Sequence, residues 1–326
     1  MVKGILWKIP AAAAVLCLAE SFTELKRLKL KSCEITDSRL PEELDGKKIA
    51  VISDLHCCRF GKKNARLFKL LGESGADLII LAGDLINGVK ESETGYVREF
   101  FEELRKTGIK TVYAPGNHEG KLALRCPEAY GEFLDLAEKN SIYLDNSTFY
   151  CEEFGADIVG VTLPLKLFHG KTGGRAVPRT VNRAKKTQYM MPETCLWNRR
   201  EPADGTVTSQ KTEADRAAAA RKAAEDGAAV EKKYTIMVAH DPEQAEFYAR
   251  TGAELCISGH LHGGIGRLPF VKGILSPRFR FFPKYSKGLY QVGSMKLFVS
   301  PGLGWHNIPV RFNNCPEIGL LCLKKG

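Results

Sequence analysis

Five short apolar runs in this chain each end in a cluster drawn from the same few polar residues. Ile49–Ile52 is followed by Asp54 and His56, Leu78–Leu81 by Gly83 and Asp84, and Thr111–Tyr113 by Gly116, Asn117, His118 and Glu119. Tyr234–Ala239 runs into His240, and Leu255–Ser258 into Gly259, His260 and His262. Short runs rich in aliphatic residues, without polar alternation, read as strands buried on both faces. Helical patterns stand between them at Leu67–Leu71, at Tyr96–Leu104 with Phe100, Phe101 and Leu104 on one face, and at 128–139. Strands alternating with helices predict an α/β core. Such sheets bind ligands beyond the carboxyl ends of their strands, which is where all five clusters fall. Further strands are expected at 157–161 and between Gly288 and Leu323, where Gly302 and Gly304 mark a turn. The late strands imply a second sheet. Leu28–Lys31 alternates apolar and charged residues and reads as an edge strand.

The clusters are built for cations. Asp54 and His56, two apart on an extended tip, point to the same side and can grip one ion together. Gly83 lets the chain turn sharply, so the Asp84 carboxylate faces the cleft. Asn117 offers a neutral oxygen, and His260 and His262 repeat the spacing of two. Imidazole with carboxylate suits Mn, Fe or Zn. These are too many ligands for one ion, and their delivery from five loops implies two ions in one site. Two such ions, about 3.5–4 Å apart, can activate water against phosphorus.

In order along the chain, Asp54-Leu55-His56, Gly83-Asp84, Gly116-Asn117-His118-Glu119, His240 and Gly259-His260-Leu261-His262 resemble the calcineurin-like metallophosphoesterases. The pattern of that family is DxH, GDxxD, GNH(D/E), H and GHxH. Gly263, Gly264, Leu268 and Pro269, with the tail from Gly288 to Gly304, are similar to its membrane-associated branch of YkuE/YaeI type. The resemblance covers roughly residues 28–164 and 234–324. It implies a four-layer αββα sandwich of two mixed β-sheets flanked by helices. It also implies that Asp54, His56, Asp84 and His262 hold one divalent ion while Asp84, Asn117, His240 and His260 hold the other. Asp84 then bridges the pair. His118 is given contact with the phosphate and protonation of the leaving oxygen, and Glu119 the orientation of His118 or of a ligand. Mn²⁺ is the first expectation for both ions, with Fe and Zn behind it. One residue departs from the pattern: Asn87 stands where the family often has a second Asp.

The implied reaction is hydrolysis of a phosphoester or pyrophosphate bond. Some members of the family cleave UDP-2,3-diacylglucosamine, so a lipid- or nucleotide-sugar-linked precursor is the expected substrate. The alternatives are a nuclease or cyclic phosphodiesterase of the same fold, or a catalytically silent scaffold. Such scaffolds lose ligands or the catalytic histidine, and none is missing here. Two weaker candidates stand outside the pattern. Arg59 is placed to meet a phosphate and His306 to touch substrate, against the plainer reading of both as solvated side chains.

Composition narrows the partners. A formal charge of +10 over 326 residues draws anions. A phosphorylated substrate and a membrane surface fit that charge, and basic charge alone specifies no nucleic acid. There is no P-loop, no GxSxG and no zinc-finger spacing. Ten cysteines include no CxxC pair and read as reduced. Residues 1–27 form a separate segment in which Ile9–Ala19 is apolar and Lys26, Arg27, Lys29 and Lys31 follow. It reads as an anchor or interfacial helix, with the basic flank held on the cytoplasmic side. The phosphoesterase domain is expected over 28–326, interrupted at about 165–233 by an insert with 15 Lys or Arg against 8 Asp or Glu. That insert separates two ligand clusters and is expected to lie over or beside the cleft.

Overall fold

The fold is seen in a computed structural model that describes residues 20–88, 93–168, 233–264, 266–267, 273–278, 280–305 and 309–326. The expectations for Ile9–Ala19, for the insert from 169 to 232, and for Leu268, Pro269 and His306 lie outside these residues. The described strands are β1 (Lys29–Thr36), β2 (Lys48–Ile52), β3 (Leu78–Ala82), β4 (Lys110–Ala114), β5 (Ile142–Tyr143) and β6 (Ser147–Cys151). They continue with β7 (Ala156–Val161), β8 (Tyr234–Ala239), β9 (Leu255–Ser258), β10 (Gly288–Val292), β11 (Met295–Val299) and β12 (Glu317–Lys324). They form two six-stranded sheets, ordered β1-β12-β2-β3-β4-β5 and β10-β11-β9-β8-β7-β6.

Both sheets are mixed. In the first, β2 to β5 run parallel and β12 lies antiparallel to β2. In the second, β7, β8, β9 and β11 are parallel, with β6 and β10 antiparallel at the edges. The expected edge strand is β1, which extends past Lys31 to Thr36 and pairs only with β12.

Side chains alternate across a strand, so one apolar run feeds two cores. In β3, Leu78, Ile80 and Ala82 pack between the sheets with Ile49 and Val51 of β2 and Ile236 and Val238 of β8. The alternate residues Ile79 and Leu81 face outward into a second core. That core is covered by helices α1 (Ala65–Glu73), α2 (Glu93–Arg105), α3 (Asn117–Arg125) and α4 (Pro127–Asn140), through Leu67, Phe100, Leu122 and Phe133 among others. On the far side, Met237 and Ala239 pack with Ala245 and Tyr248 of the short helix α5 (Ala245–Tyr248). Each buried aliphatic side chain contributes roughly 1.5–3 kcal/mol, which is why aliphatic residues dominate the runs. The result is the αββα sandwich expected from the sequence. The eight described cysteines are all free.

Several elements were not visible in the sequence, β5, β6 and the helices α3 and α5 among them. β5 and β6 are too short or too polar to show a pattern. Helix α3 begins inside the Asn117–Glu119 cluster: Gly116 caps it, and the Glu119 side chain accepts from the Gly116 N–H.

Residues 20–26 are helical and pack on the domain, although the expected boundary was at 28. Ser21 Oγ accepts from Arg311 N at 2.9 Å, and Glu24 Oε2 accepts from Asn314 N at 3.1 Å, all four residues being buried. A chain starting at residue 28 loses both hydrogen bonds together with the cover that this helix gives them. It should be less stable than one starting at residue 20 by roughly 2–4 kcal/mol in urea denaturation. Equal midpoints for the two chains would show that the helix is an ornament.

Candidate metal centre

All seven predicted ligands are buried and converge at the carboxyl ends of five strands. Asp54 and His56 follow β2, Asp84 follows β3, Asn117 and His118 follow β4, His240 follows β8, and His260 and His262 follow β9. They gather in three overlapping groups whose ligand atoms lie within 4.8 Å of one another: Asp54, His56 and His262; Asp84, His240 and His260; and His56, Asp84 and His118. Asp84 belongs to two of these. Its Oδ2 lies 2.9 Å from His240 Nε2 and 3.9 Å from both His56 Nε2 and His118 Nε2. Asp54 Oδ1 is 3.6 Å from His262 Nε2 and 3.7 Å from His240 Nε2. His56 Nε2 and His262 Nε2 face each other at 3.2 Å.

The backbone at these tips is unusual. Asp54, His56, Asp84, His260 and His262 all have φ between 48° and 69°. Left-handed non-glycine residues cost about 1–3 kcal/mol each and persist only where neighbours fix them. Asp and His tolerate the region better than most. Asp54 N donates to Gly83 O at 3.0 Å and His56 N to Asp84 O at 3.1 Å, which ties the first tip to the second. Glu119 fixes the second: its carboxylate accepts from the backbone N–H groups of Asp84, Leu85 and Gly116 and from the Tyr113 hydroxyl, all within 3.0 Å. Of the two tasks expected for Glu119, it performs the holding of a ligand loop. Gly83 and Gly116 are required by close approach. A Cβ on Gly116 would collide with Asp84 Oδ1, and one on Gly83 would sit 2.6 Å from His240 Nδ1.

Ring orientation is set from behind. His240 Nδ1 donates to Ala82 O at 2.7 Å, and His262 Nδ1 to Gly304 O at 3.3 Å, so each presents Nε2 to the centre. His118 Nδ1 abuts the Asn87 carbonyl, which can only accept, so Nδ1 carries the hydrogen and Nε2 faces the cleft. The Asn87 side chain donates to His56 O at 3.1 Å. The residue that departs from the family pattern therefore still braces both histidines.

Burial penalises charge here, and the partners decide which groups keep it. Burial drives the Asp54 carboxyl up to about 6 against the pull of His240. Burial opposes charge on His240, but the Asp84 and Asp54 carboxylates outweigh it and raise its pKa to about 10. Asp84 is pushed up by burial, yet His240, His118 and His56 hold it well below the usual carboxylate range. Burial and the neighbouring His240 charge press His260 well below its usual value, so it is neutral. An imidazolium on His240 thus supplies the positive charge between two buried carboxylates. The donor set fits divalent cations. Asn117 Oδ1 and His260 Nε2 are buried with no hydrogen-bond partner among the described residues, and both belong to the expected ligand set of one ion.

Several residues around the centre were missed. Arg311 is fully buried, and its guanidinium donates to the carbonyls of Pro301, Gly302, Gly304 and Asn314, the loop behind Asp54 and His262. Burial lowers its pKa to about 10. Asn314 Nδ2 donates to the carbonyls of His262 and Gly264. No local pattern announces either residue. Lys121, Phe168 and Arg278 join Asp84, Asn117, His118, His260 and His262 in lining a cleft of about 130 Å³. Lys121 stands one helical turn after His118, a neighbourhood that shows only once α3 is seen to be a helix. Arg59 pairs through its guanidinium with Glu99 and lies 5.0 Å over the Tyr96 ring, and it is not among the residues that line the cleft.

Metal binding should release protons, because a coordinating imidazole is neutral. With its pKa near 10, His240 is protonated at neutral pH before a cation arrives. Affinity therefore rises with pH up to that value, and weakens further below about 6 as Asp54 takes a proton. Calorimetric titration with Mn²⁺ in buffers of different ionisation enthalpy should show about one proton released per protein at neutral pH. No release would mean that His240 does not carry that charge.

Comparison with known proteins identifies the family of the chain. The profile of the calcineurin-like phosphoesterases matches residues 47–264. An uncharacterized metallophosphoesterase of Bacillus subtilis, YkuE, is 36% identical over 94 residues, 29% of this chain and 32% of that protein. A transmembrane protein with metallophosphoesterase domain from Danio rerio is 25% identical over 309 residues, 91% of this chain and 57% of its own length. The chain thus spans under two thirds of the length of either relative. The crystal structure of TT1561 of Thermus thermophilus overlays with a TM-score of 0.41 at 14% identity, over 79% of this chain and 90% of that one. The matched profile covers most of the chain and takes in all seven predicted ligands. The chain belongs to the calcineurin-like phosphoesterase family.

Proposed function

We propose that this protein is a dinuclear metal-dependent hydrolase of phosphoester or pyrophosphate bonds. The observation that carries the reading is Asp84, a fully buried carboxylate shared by two histidine clusters beside acceptors with no partner, among the described residues, on Asn117 and His260. Asp54, His56, Asp84 and His262 hold one cation, and Asp84, Asn117, His240 and His260 the other. Two divalent cations bound there would acidify water and screen the charge of the phosphoryl oxygens. Nitrogen and carboxylate donors without thiolate suit Mn²⁺, Fe or Zn, and Mn²⁺ is the first to try.

The remaining work falls to side chains. His118 presents Nε2 to the cleft from a ring whose Nδ1 hydrogen is held by the Asn87 carbonyl; protonated at Nε2 as well, the imidazolium would deliver that second proton to the leaving oxygen. Its backbone N–H donates to Asp84 Oδ1 at 2.8 Å, which locks the proton donor to the shared carboxylate. Glu119 keeps both on their loops. With Mn²⁺ added, Asp84→Ala should abolish hydrolysis of bis-p-nitrophenyl phosphate and lower the bound metal. His118→Ala should keep the metal and lose about 10²–10⁴-fold in rate, the range of general acid catalysis. Full activity of the first variant, or loss of metal from the second, would show the roles to be misassigned.

The substrate we infer is an anionic phosphorylated compound, lipid- or nucleotide-sugar-linked, met at a membrane surface. The Danio rerio relative is named a transmembrane protein. Among the described residues no helix is long and apolar enough to cross a membrane. The reading therefore rests on Ile9–Ala19 and the basic residues after it. Fractionation of the full chain beside a chain starting at residue 20 tests it. Recovery of both in the soluble fraction would remove the membrane.

A further inference from the structure

Lys121 stands at the centre without a role in holding cations. It lies on α3, one turn after His118, half-buried, and its Nζ is 2.9 Å from His118 Nε2. A buried or half-buried ammonium normally finds a carboxylate. Among the described residues, none stands within 4 Å of Lys121 Nζ. Burial pulls its pKa down, and the Asp84 charge only partly restores it. Its polar partner among those residues is the nitrogen that faces the reacting group.

Elsewhere along the cleft, Arg278 is built in more firmly. Its side chain is 9% exposed and is clamped by Asp241 and Glu243, with Nη2 2.9 Å from Asp241 Oδ2. It lies 5.5 Å over the Phe168 ring, whose edge meets His260 at 5.1 Å. Its Nε–H is buried and has no partner among the described residues. Two carboxylates already balance the charge of Arg278, so it lends the cleft a donor and a rigid wall. Lys121 lends a charge that no described carboxylate pairs with directly. The two cationic side chains border different parts of the centre, one beside His118 and the other beside Phe168 and His260.

We propose that Lys121 is a specificity-determining residue that contacts the substrate and selects a phosphate head carrying two negative charges over one carrying a single charge. The inference rests on the hydrolase reading above. It turns on position: Lys121 touches the face of His118 that meets the leaving oxygen. A singly charged diester brings no second charge to that side, and a positive charge facing it there gains little. A phosphomonoester brings a dianion, and a pyrophosphate brings a second ionised phosphate as its leaving group. In either case Lys121 turns from His118 Nε2 to the added charge, and the imidazole is freed to act on the leaving oxygen. In the hydrolysis one P–O bond forms to water and the P–O bond to the leaving oxygen breaks. The leaving oxygen takes a proton, and water supplies the balance.

The test compares Lys121→Met and Lys121→Arg with the unaltered protein, all loaded with Mn²⁺, on three substrates. These are p-nitrophenyl phosphate, P1,P2-diphenyl pyrophosphate and the singly charged bis-p-nitrophenyl phosphate. A charge-assisted contact is lost in Lys121→Met, so kcat/KM should fall on the order of ten-fold more for a doubly charged substrate than for the single charge. Lys121→Arg should recover most of the difference. The doubly charged substrate that shows the larger fall identifies the source of the second charge. Equal losses on all three substrates would mean that Lys121 acts only by holding His118, and would overturn the proposal, as would no loss at all. Binding of inorganic phosphate and of dimethyl phosphate to the same proteins, followed by calorimetry, gives a readout independent of turnover. Lys121→Met should weaken the first by a similar factor and leave the second nearly unchanged. If the unaltered protein hydrolyses none of the three substrates, the hydrolase reading falls. The phosphate binding then still decides whether Lys121 reads charge.

Discussion

The Asp84 carboxylate must be kept charged while fully buried, and much of this molecule is arranged around that requirement. An isolated buried carboxylate takes up a proton instead of keeping its charge. Asp84 keeps it because His240, His118 and His56 surround it and because the His118 N–H donates to it. Those partners come from three strand tips in two different sheets. The sheets must therefore pack with their carboxyl ends together, and the aliphatic layer between them sets that alignment. The centre depends on the core in a direct sense. Ile80 and Ile236 hold the sheets at the spacing that lets His240 of one reach Asp84 of the other.

Holding such a cluster costs backbone strain, and the strain is distributed. Five candidate ligands occupy the left-handed region, which places their side chains inward at the ends of strands that otherwise alternate. Glu119 clamps the Asp84 loop through two backbone N–H groups and ties it to Gly116 through a third, and Arg311 clamps the loop behind Asp54 through three carbonyls and ties it to Asn314 through a fourth. One clamp is an anion on donors and the other a cation on acceptors. Among the described residues neither has an ion-pair partner, so backbone dipoles carry most of the compensation for each buried charge. Arg311 and Asn314 are in turn held by Ser21 and Glu24, so the first described helix reaches the ligand loops through two steps of hydrogen bonding.

The strands that carry the centre were legible because each shows its period and its ending locally. Leu78–Leu81 can be little other than a buried strand, and Gly83-Asp84 after it marks a tip. The pairing of the clusters was legible only through the ordered set of five motifs. What escaped was whatever depends on partners far along the chain. Arg311 looks like any surface arginine until the loop from Pro301 to Gly304 folds over it. Arg278 gives no hint that Asp241 and Glu243 await it. Arg59 makes the same point: nearness in sequence to His56 says nothing about which way its long side chain runs, and in the fold it pairs with Glu99 on α2. Helix α3 was hidden because its first residues are also ligands, and their polarity masks the helical period.

The sequence by itself determined the α/β class, the strands and their tips, and the identity of the seven candidate ligands. These follow from short-range chemistry: the period of apolar residues, the turn made at glycine, and the few side chains that bind cations. The tertiary structure decided which ligands share Asp84, which imidazole is charged, and which cationic side chains face the cleft. Those properties arise from burial and from distances between residues far apart in the chain, 206 positions in the case of His56 and His262. A carboxylate and an imidazole become an ion pair only when the fold removes the water between them, and no local pattern in the chain records that.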